Sequence, residues 1–247
     1  MAYINIINAS VAFTVYNSCS RSLKRDIIRV ATGGRLASSD GKVVINALEN
    51  IDCKFYDGDR VGLIGHNGAG KSTLLRLING VYSPVTGEIK IAGNVRSLID
   101  ISLGIDAEAT GRENIFIRGA LLGMSRAEIA THLSDIVDFS ELGDFIDLPM
   151  RTYSSGMQLR LAFAVSTILQ PDILLMDEWL SVGDEYFKKK VAVRMSEMVG
   201  STKILIIASH SRQLIFKHCN RVLLIEHGRI VADGSPEEVA TPYFNGK

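Results

Sequence analysis

Eight consecutive residues have the types and spacing needed to hold the phosphates of a nucleotide. They read Gly65-His66-Asn67-Gly68-Ala69-Gly70-Lys71-Ser72 and fit the pattern G-x-x-x-x-G-K-S. The glycines let backbone N–H groups converge on anionic oxygens, and the following helix adds its positive N-terminal end. Lys71 offers a cation to the β- and γ-phosphates, and the Ser72 hydroxyl offers a ligand to Mg²⁺.

The segments on either side of this loop favour a phosphate site over a chance glycine-rich turn. Arg60–Ile64 is a short apolar run that is typical of a buried strand, and Thr73–Gly80 has a helical pattern that ends at glycine. Strand, loop and helix in this order are the context in which the motif binds phosphate.

A second apolar run ends in two acids. Ile173–Met176 is followed by Asp177 and Glu178, and a buried parallel strand would deliver both carboxylates to the edge that carries the phosphate loop. Asp177 suits the shell of Mg²⁺, and Glu178 suits polarisation of an attacking water. A strand ending in a solvated acidic turn is the alternative, and the preceding phosphate loop disfavours it.

Two further segments have polar groups at element ends. His210 follows the apolar run Ile204–Ala208 and could contact a γ-phosphate and the water, although an isolated histidine there would be structural. Tyr153-Ser154-Ser155-Gly156-Met157 precedes a predicted helix over Gln158–Leu169. Ser154 suits its N-cap, and the helix end with the Gly156 N–H would form a second anion site.

Composition limits the class of protein. The chain has 247 residues, 47% hydrophobic content and a net charge of +0, which indicates a large α/β domain or a core with an inserted subdomain and disfavours nucleic-acid binding. Cys19, Cys53 and Cys219 fit no metal or disulfide spacing. No apolar stretch approaches the ~20 residues of a membrane span. We therefore expect a soluble chain, without a secretion signal, that could dock on a membrane protein.

Strand signals and helix signals occupy different parts of the chain. From about Arg96 to Tyr153 strands give way to helical periodicity over Arg112–Leu122 and Arg126–Phe139, with five acids between Leu133 and Pro149. Strands are predicted elsewhere, over Ile4–Val15, Val43–Phe55, Glu88–Ala92, Ile173–Met176 and Lys203–Ile207, and in a hairpin of Arg221–Glu226 with Arg229–Ala232.

Taken in order, these motifs resemble those of the ATP-binding-cassette (ABC) ATPases across nearly the whole chain. The resemblance also includes Ser181-Val182-Gly183-Asp184 after the acidic pair. It implies an α/β fold: a P-loop NTPase (RecA-like) core with an antiparallel β subdomain and an inserted α-helical subdomain. The single domain would cover 1–247, with the core and β subdomain in 1–95 and 160–247 and the helical subdomain in 96–159.

The resemblance also implies how ATP and Mg²⁺ are bound. Two copies would form a head-to-tail homodimer with two ATP molecules between them. Each ATP would be held in cis by Gly65, His66, Asn67, Gly68, Ala69, Gly70, Lys71, Ser72 and Thr73, and clamped at the γ-phosphate by Ser154, Ser155 and Gly156 of the other copy. Asp184 would lie at the seam, and Tyr16 would stack on adenine.

Some positions depart from the family pattern. Ser155 stands where glycine is usual, Met157 stands where glutamine is usual, and Trp179 after the catalytic acid is uncommon. The usual glutamine after Glu88–Ala92 is missing, and by position Asp100 is the nearest candidate for its metal contact.

These departures resemble a narrower group, the exporters of O-antigen, capsule and teichoic acid. The residues that carry this likeness are Gly62–Gly68, Thr110–Asn114, Gly119–Gly123, Arg151–Met157 and Val182–Asp184. The chain is most similar to O-antigen export ATPases, in a short form without their C-terminal carbohydrate-binding domain. A Wzm-like polytopic permease would rest on Arg96–Gly123 at the cytoplasmic face of the inner membrane, and the complex would handle a lipid-linked polysaccharide.

Several alternatives stay open. The basic segment Ser20–Ala31 could lie at the anionic membrane leaflet or at the polymer entry, or it could be a packed helix with a solvated face. An import ATPase of the same fold, a capsule or teichoic acid exporter, a soluble cassette ATPase and a non-catalytic regulator are the rival functions. The Tyr153–Met157 signature disfavours the first, and Glu178 with His210 disfavours the last.

Overall fold

The computed structural model describes residues 1–15, 36–39, 42–99, 101, 104–178 and 185–246. The chain forms two compact units. The first comprises Met1–Val95, Leu175–Trp179 and Lys203–Lys247, and the second comprises Arg96–Leu174 and Leu180–Thr202. The predicted segment Ser20–Ala31 lies outside the described residues.

The described residues form ten strands and seven α-helices. The strands are β1 (Tyr3–Val15), β2 (Leu36–Ser39), β3 (Lys42–Tyr56), β4 (Arg60–Ile64), β5 (Thr86–Ala92), β6 (Val95–Ser97), β7 (Ile173–Asp177), β8 (Ile204–Ala208), β9 (Arg221–Glu226) and β10 (Arg229–Gly234). The helices are α1 (Lys71–Ile78), α2 (Gly111–Leu121), α3 (Arg126–Ser140), α4 (Ser155–Ser166), α5 (Glu185–Ser201), α6 (Arg212–His218) and α7 (Thr241–Asn245).

Where the sequence predicts a strand or helix among the described residues, the bounds agree to within a few residues, but two strands (β2 and β6) and three helices (α5, α6 and α7) were not predicted. The four-residue β2 and the three-residue β6 are too short to show an alternation of apolar and polar residues, so pairing with neighbouring strands decides them.

An antiparallel sheet with the order β2-β3-β1-β5 lies in the first unit. β1 pairs with β3 from Tyr3 opposite Tyr56 to Val15 opposite Val43, and its other edge pairs with β5. The β1–β5 register shifts between Ile7 and Ser10, where the extra residue forms a bulge.

A second sheet, with the order β10-β9-β4-β8-β7-β6, carries the polar strand ends. β4 is parallel to both β8 and β9, with Leu63 opposite Ala208 and opposite Leu223. β8 is fully buried along its length, as the continuous apolar run predicts for an internal parallel strand. Because parallel strands end at the same edge, the segments that follow β4 and β8 leave the sheet together. A hydrogen bond from the Glu178 N–H to the Ala208 carbonyl brings the residue after β7 to that edge.

The second unit is a bundle of helices whose starts are fixed by side-chain caps. Thr110 with Glu113 and Ser125 with Glu128 form reciprocal capping boxes at α2 and α3. Ser154 caps α4, as predicted, by accepting a hydrogen bond from the Met157 N–H at 3.2 Å.

Cations from α5 face the acidic stretch of this unit. Lys190 pairs with Glu141 at 3.0 Å and Arg194 pairs with Asp135 at 3.3 Å. Both cations also lie over the Phe139 ring, at 4.9 and 4.4 Å from its centroid. The acidic face of the insert is thus partly neutralised by a helix that follows it in sequence.

The predicted end of the helical subdomain at 159 remains a prediction. In the structure that position falls within the continuous helix α4, and residues 160–174 belong to the second compact unit. None of the helices in the described part of the chain combines the length and the apolar character needed to cross a membrane.

Two of the three cysteines lie in the described residues, and both are free thiols. Cys53 is buried and Cys219 is half-buried. Burial raises the pKa of each thiol to about 12, so the reactive thiolate is scarce at neutral pH.

Two glycines with the same backbone φ give a test of the β1–β5 bulge. A Cβ at Gly87 would lie 2.2 Å from the Asn8 carbonyl oxygen and 2.3 Å from that of Ile7, whereas one at Gly80 would meet no described atom within 4 Å. Both have φ +76. We expect Gly80→Ala to cost about 1–2 kcal/mol of unfolding free energy from backbone strain, and Gly87→Ala to cost about 1–3 kcal/mol more from overpacking.

The measurement is the midpoint of urea unfolding for each variant and for the wild type. Tryptophan fluorescence and circular dichroism monitor the unfolding. Equal losses for the two variants would show that the bulge tolerates a side chain.

Candidate functional site

The phosphate loop Gly65–Gly70 takes a backbone path that its glycines permit. Gly65, Gly68 and Gly70 have φ of +146, +75 and +118. At Gly65 a Cβ would lie 2.1 Å from the Ile225 carbonyl oxygen, so a side chain there would collide with β9. The Gly228 N–H donates to the Ala69 carbonyl at 2.8 Å, which ties the loop to the turn between β9 and β10.

Lys71 begins α1 beneath this loop. It is 8% exposed, and its ammonium donates to the carbonyl oxygens of Gly65 at 2.8 Å and His66 at 3.1 Å. It also lies 3.3 Å from Nε2 of His210. Because an ammonium has only donors, Nε2 accepts in this contact. The cation is therefore held inside the loop by groups that phosphate oxygens could replace.

The acids predicted at the end of β7 lie at the same sheet edge. Asp177 is the last residue of β7, and Glu178 follows it with φ +66, in the left-handed region that side chains other than glycine rarely adopt. The Glu178 N–H donates to the Ala208 carbonyl at 2.8 Å. Its carboxylate accepts from Ser209 Oγ at 2.9 Å and from the His210 N–H at 3.0 Å.

These groups line one cavity of about 560 Å³. Its wall comprises Phe13, Ile45, Ala47, Asn67, Gly68, Ala69, Gly70, Lys71, Ser72, Thr73, Asp177, Glu178 and His210. The structure therefore brings together most of the predicted cis site, and Lys71 joins Gly65 and His66 to it through their carbonyl oxygens. A cation, a helix N-terminus and glycine backbone on one side fit a polyphosphate.

The donor set also suits Mg²⁺. Ser72 and Asp177 line the cavity with a hydroxyl and a carboxylate, the oxygen ligands that Mg²⁺ prefers. The described residues contain no cluster of three or more His, Cys, Asp or Glu placed to hold a metal. Mg²⁺ is commonly bound by one or two protein oxygens together with substrate phosphates, which matches this arrangement.

Sequence reasoning missed the apolar wall and one hydroxyl. Phe13 lies on β1, and Ile45 and Ala47 lie on β3. Both strands precede the phosphate loop in sequence, and their pairing brings these residues to the cavity. The bond from Ser209 to Glu178 was also missed. An apolar residue near a strand end gives no sequence signal of its own, and neither does a serine beside a histidine.

The predicted signature lies in the second unit. Ser154 is the N-cap of α4, and Ser155 and Gly156 are its first residues. The preceding Tyr153 is buried, and its hydroxyl donates to the Phe145 carbonyl at 2.5 Å. Burial raises the pKa of Tyr153, so this hydroxyl stays protonated. Tyr16, Asp100 and Ser181–Asp184 lie outside the described residues.

Comparison with known proteins agrees with the motifs. Residues 48–181 match the family model of the ABC transporter family. The O-antigen export system ATP-binding protein RfbE of Yersinia enterocolitica is 47% identical over 224 residues, which cover 90% of this chain and 94% of that protein. RfbB of Myxococcus xanthus is 43% identical over 90% of this chain, which spans 50% of that protein. The teichoic acids export ATP-binding protein TagH of Lactococcus lactis is 43% identical over 80% of this chain and 42% of its own length.

Solved structures share the fold at low sequence identity. A dimeric ATP-binding cassette in a post-hydrolysis state with ADP and Pi has a TM-score of 0.66 at 17% identity, over 94% of this chain and 98% of that one. An ATP-binding subunit of an ABC transporter has a TM-score of 0.69 at 20% identity, over 98% and 93%. The matched family model and the long alignment to the Yersinia protein establish that this chain belongs to the ABC transporter family.

Proposed function

We propose that this chain is the ATP-hydrolysing subunit of an ABC transporter that exports a lipid-linked, O-antigen-like polysaccharide. The observation that carries the proposal is the 47% identity to an O-antigen export protein over nearly the whole of both chains. The cavity at the edge of the β4–β8–β7 sheet supplies the groups that ATP hydrolysis needs.

A second candidate is export of teichoic acid. TagH proteins of two Listeria species are 41% identical over 80% of this chain, and that of Lactococcus is 43% identical. These alignments cover less of this chain than the alignment to the Yersinia protein, which covers 90% of it. The longer alignment favours the O-antigen assignment. Both candidates require a polytopic permease, with this subunit bound to it at the cytoplasmic face of the membrane.

In the proposed site, the phosphate loop binds the triphosphate of ATP. The apolar wall formed by β1 and β3 contacts the adenine ring. Lys71 exchanges carbonyl oxygens for phosphate oxygens, which are stronger acceptors because they are charged. Phe13 offers a ring face or edge to adenine, with Tyr16 a further candidate for stacking. Ser72 and Asp177 would hold Mg²⁺, with Asp100 a third candidate, and the ion supplies charge neutralisation between the phosphates.

Glu178 is the proposed general base and His210 its neighbour at the γ-phosphate. The carboxylate accepts a proton from the attacking water, and hydrolysis then separates the γ-phosphate from ADP. His210 lies between Lys71 and Glu178, because Nε2 accepts from the first and its backbone N–H donates to the second. His210 is therefore placed to contact the γ-phosphate with its ring. Its backbone N–H would couple that contact to the position of the Glu178 carboxylate.

We further propose that two copies close around ATP. Ser154, Ser155 and Gly156 of one copy would bind the γ-phosphate held by the loop of the other, and Asp184 would lie at the seam. ATP would then stabilise the closed pair, and loss of the γ-phosphate would release it. The permease would receive that motion through the Arg96–Gly123 region.

Replacing the proposed base separates binding from hydrolysis. We expect Glu178→Gln to lower the hydrolysis rate by about 10²- to 10⁴-fold, because glutamine cannot accept the proton of water. ATP binding should persist, since the amide is nearly the same size. Phosphate release and equilibrium ATP binding on the purified chain measure the two effects, and normal turnover would exclude Glu178 as the base.

Removing the loop cation should act on binding instead. We expect Lys71→Ala to weaken ATP binding by about tenfold or more, the value of a charge-assisted hydrogen bond. Lys90→Ala is the matched control, because Lys90 is exposed and pairs with Glu88 at 2.8 Å on β5. Isothermal titration with Mg²⁺–ATP gives the affinities. Similar affinities for the two variants would remove Lys71 from the phosphate site.

The identity of the exported polymer is tested in cells. Together with its own permease, the chain should restore surface O-antigen in a strain that lacks its O-antigen export ATPase, and Glu178→Gln should not. Lipopolysaccharide gels and antibody labelling of intact cells report the polymer. Failure there, with restoration of wall teichoic acid in a strain lacking that exporter, would favour the second candidate.

A further inference from the structure

The carboxylate of Glu178 is bound at both oxygens by the two residues that follow β8. Ser209 Oγ donates to Oε2 at 2.9 Å, and the His210 N–H donates to Oε1 at 3.0 Å. A carboxylate has about four lone-pair sites, so both oxygens keep capacity for a water. Two donors on two oxygens fix the rotation of an exposed side chain that would otherwise turn freely.

The hydroxyl proton of Ser209 has a defined direction. The Ser211 N–H donates to Ser209 Oγ at 3.1 Å and so uses an acceptor site of that oxygen. A hydroxyl has one proton to donate, and Glu178 is an acceptor at hydrogen-bond distance. The Ser209 hydroxyl therefore accepts from the start of α6 and donates to the proposed base.

Ser209 is also rigidly mounted on the sheet. It is 1% exposed, and its N–H donates to the Leu63 carbonyl of β4 at 3.2 Å. β4 leads directly into the phosphate loop, and β8 ends at Ala208, which accepts from the Glu178 N–H. Ser209 therefore links the Glu178 carboxylate to β4, the strand that leads into the phosphate loop.

The backbone of Glu178 makes such support necessary. Its φ of +66 is a strained conformation for a residue with a side chain. Strained residues persist where their surroundings hold them, and here the backbone bond to Ala208 and the two carboxylate bonds do so. Loss of the Ser209 hydroxyl would release one oxygen while the strand remained in place.

We propose that Ser209 is a positioning residue for ATP hydrolysis, which orients the Glu178 carboxylate toward the water that attacks the γ-phosphate. Ser209 is not among the described residues that line the cavity, so it acts through Glu178. This inference rests on the proposed role of Glu178 as the base. It gives the buried hydroxyl an effect on the chemical step and none on ATP binding.

The test compares two serines of the same loop. Ser209→Ala removes the hydroxyl that donates to Glu178. Ser211→Ala removes the hydroxyl that caps α6 by accepting from the Leu214 N–H at 3.4 Å, and its backbone N–H still donates to Ser209. Ser209→Thr restores a hydroxyl at the tested position. Each change is made in the wild-type 247-residue chain and in the Glu178→Gln variant.

We expect Ser209→Ala to lower kcat for ATP hydrolysis by about tenfold to a hundredfold with KM unchanged, as misorientation of a reacting group does. Ser209→Thr should recover most of the rate, and Ser211→Ala should lower thermal stability with little change in kcat. In the Glu178→Gln background Ser209→Ala should have no further effect, because the two residues act as one unit. Steady-state and single-turnover phosphate release, with ATP titration, provide the readouts.

A kcat for Ser209→Ala equal to that of the wild type or of Ser211→Ala would overturn the inference. So would a full further loss in the Glu178→Gln background, or a rise in KM that accounts for the whole effect. Normal hydrolysis by Glu178→Gln alone would instead overturn the assignment of the base. The two failures are therefore distinguishable in the same set of measurements.

Discussion

Parallel pairing of β4 with β8 is the constraint on which the site depends. Because Leu63 lies opposite Ala208, the phosphate loop after Ile64 and the polar pair Ser209–His210 leave the sheet at one edge. The Glu178 N–H, bonded to the Ala208 carbonyl, brings the end of β7 to the same edge. Since β8 is buried on both faces, a slip of one residue in this register would exchange those faces and separate the proposed base from the loop.

Hydrogen bonds at this edge form a connected set from cation to base. Lys71 contacts His210, the His210 N–H contacts Glu178, and Ser209 joins Glu178 to the start of α6. Since phosphate oxygens would compete with the carbonyls of Gly65 and His66 for the ammonium, binding of a triphosphate in the proposed site would change the first member of the set. The positions of His210 and Glu178 would then depend on which phosphates are present, as the proposed mechanism requires.

The parts of the site that sequence alone predicts are local. The loop follows from the spacing of glycines in Gly65–Ser72, and its flanking elements follow from apolar periodicity. Those signals suffice to place the loop and the β7 acids at one edge of a sheet. The Phe13 wall and the Ser209 bond have no such signal. The first depends on the register of β1 and β3 beside the loop, and the second on a proton direction set by the Ser211 N–H. The left-handed φ of Glu178 likewise could not be predicted, because glutamate rarely adopts it.

Three residues of the signature, Ser154, Gly156 and Met157, differ in what helix α4 requires of them. Met157 contributes its N–H to the Ser154 cap, which any residue except proline supplies, so the loss of the usual glutamine leaves the cap intact. The cap uses a lone pair of Ser154 Oγ and leaves its proton available to an anion. Among the described residues, Gly156 has no packing reason to be glycine, because there a Cβ would meet only Ser154 Oγ at 3.8 Å, an ordinary contact. Glycine within a helix costs roughly 0.5–1 kcal/mol relative to alanine. Because no packing contact among the described residues offsets that cost, glycine here favours close approach of another molecule to the helix end. The proposed binding of the γ-phosphate held by a second copy requires such an approach.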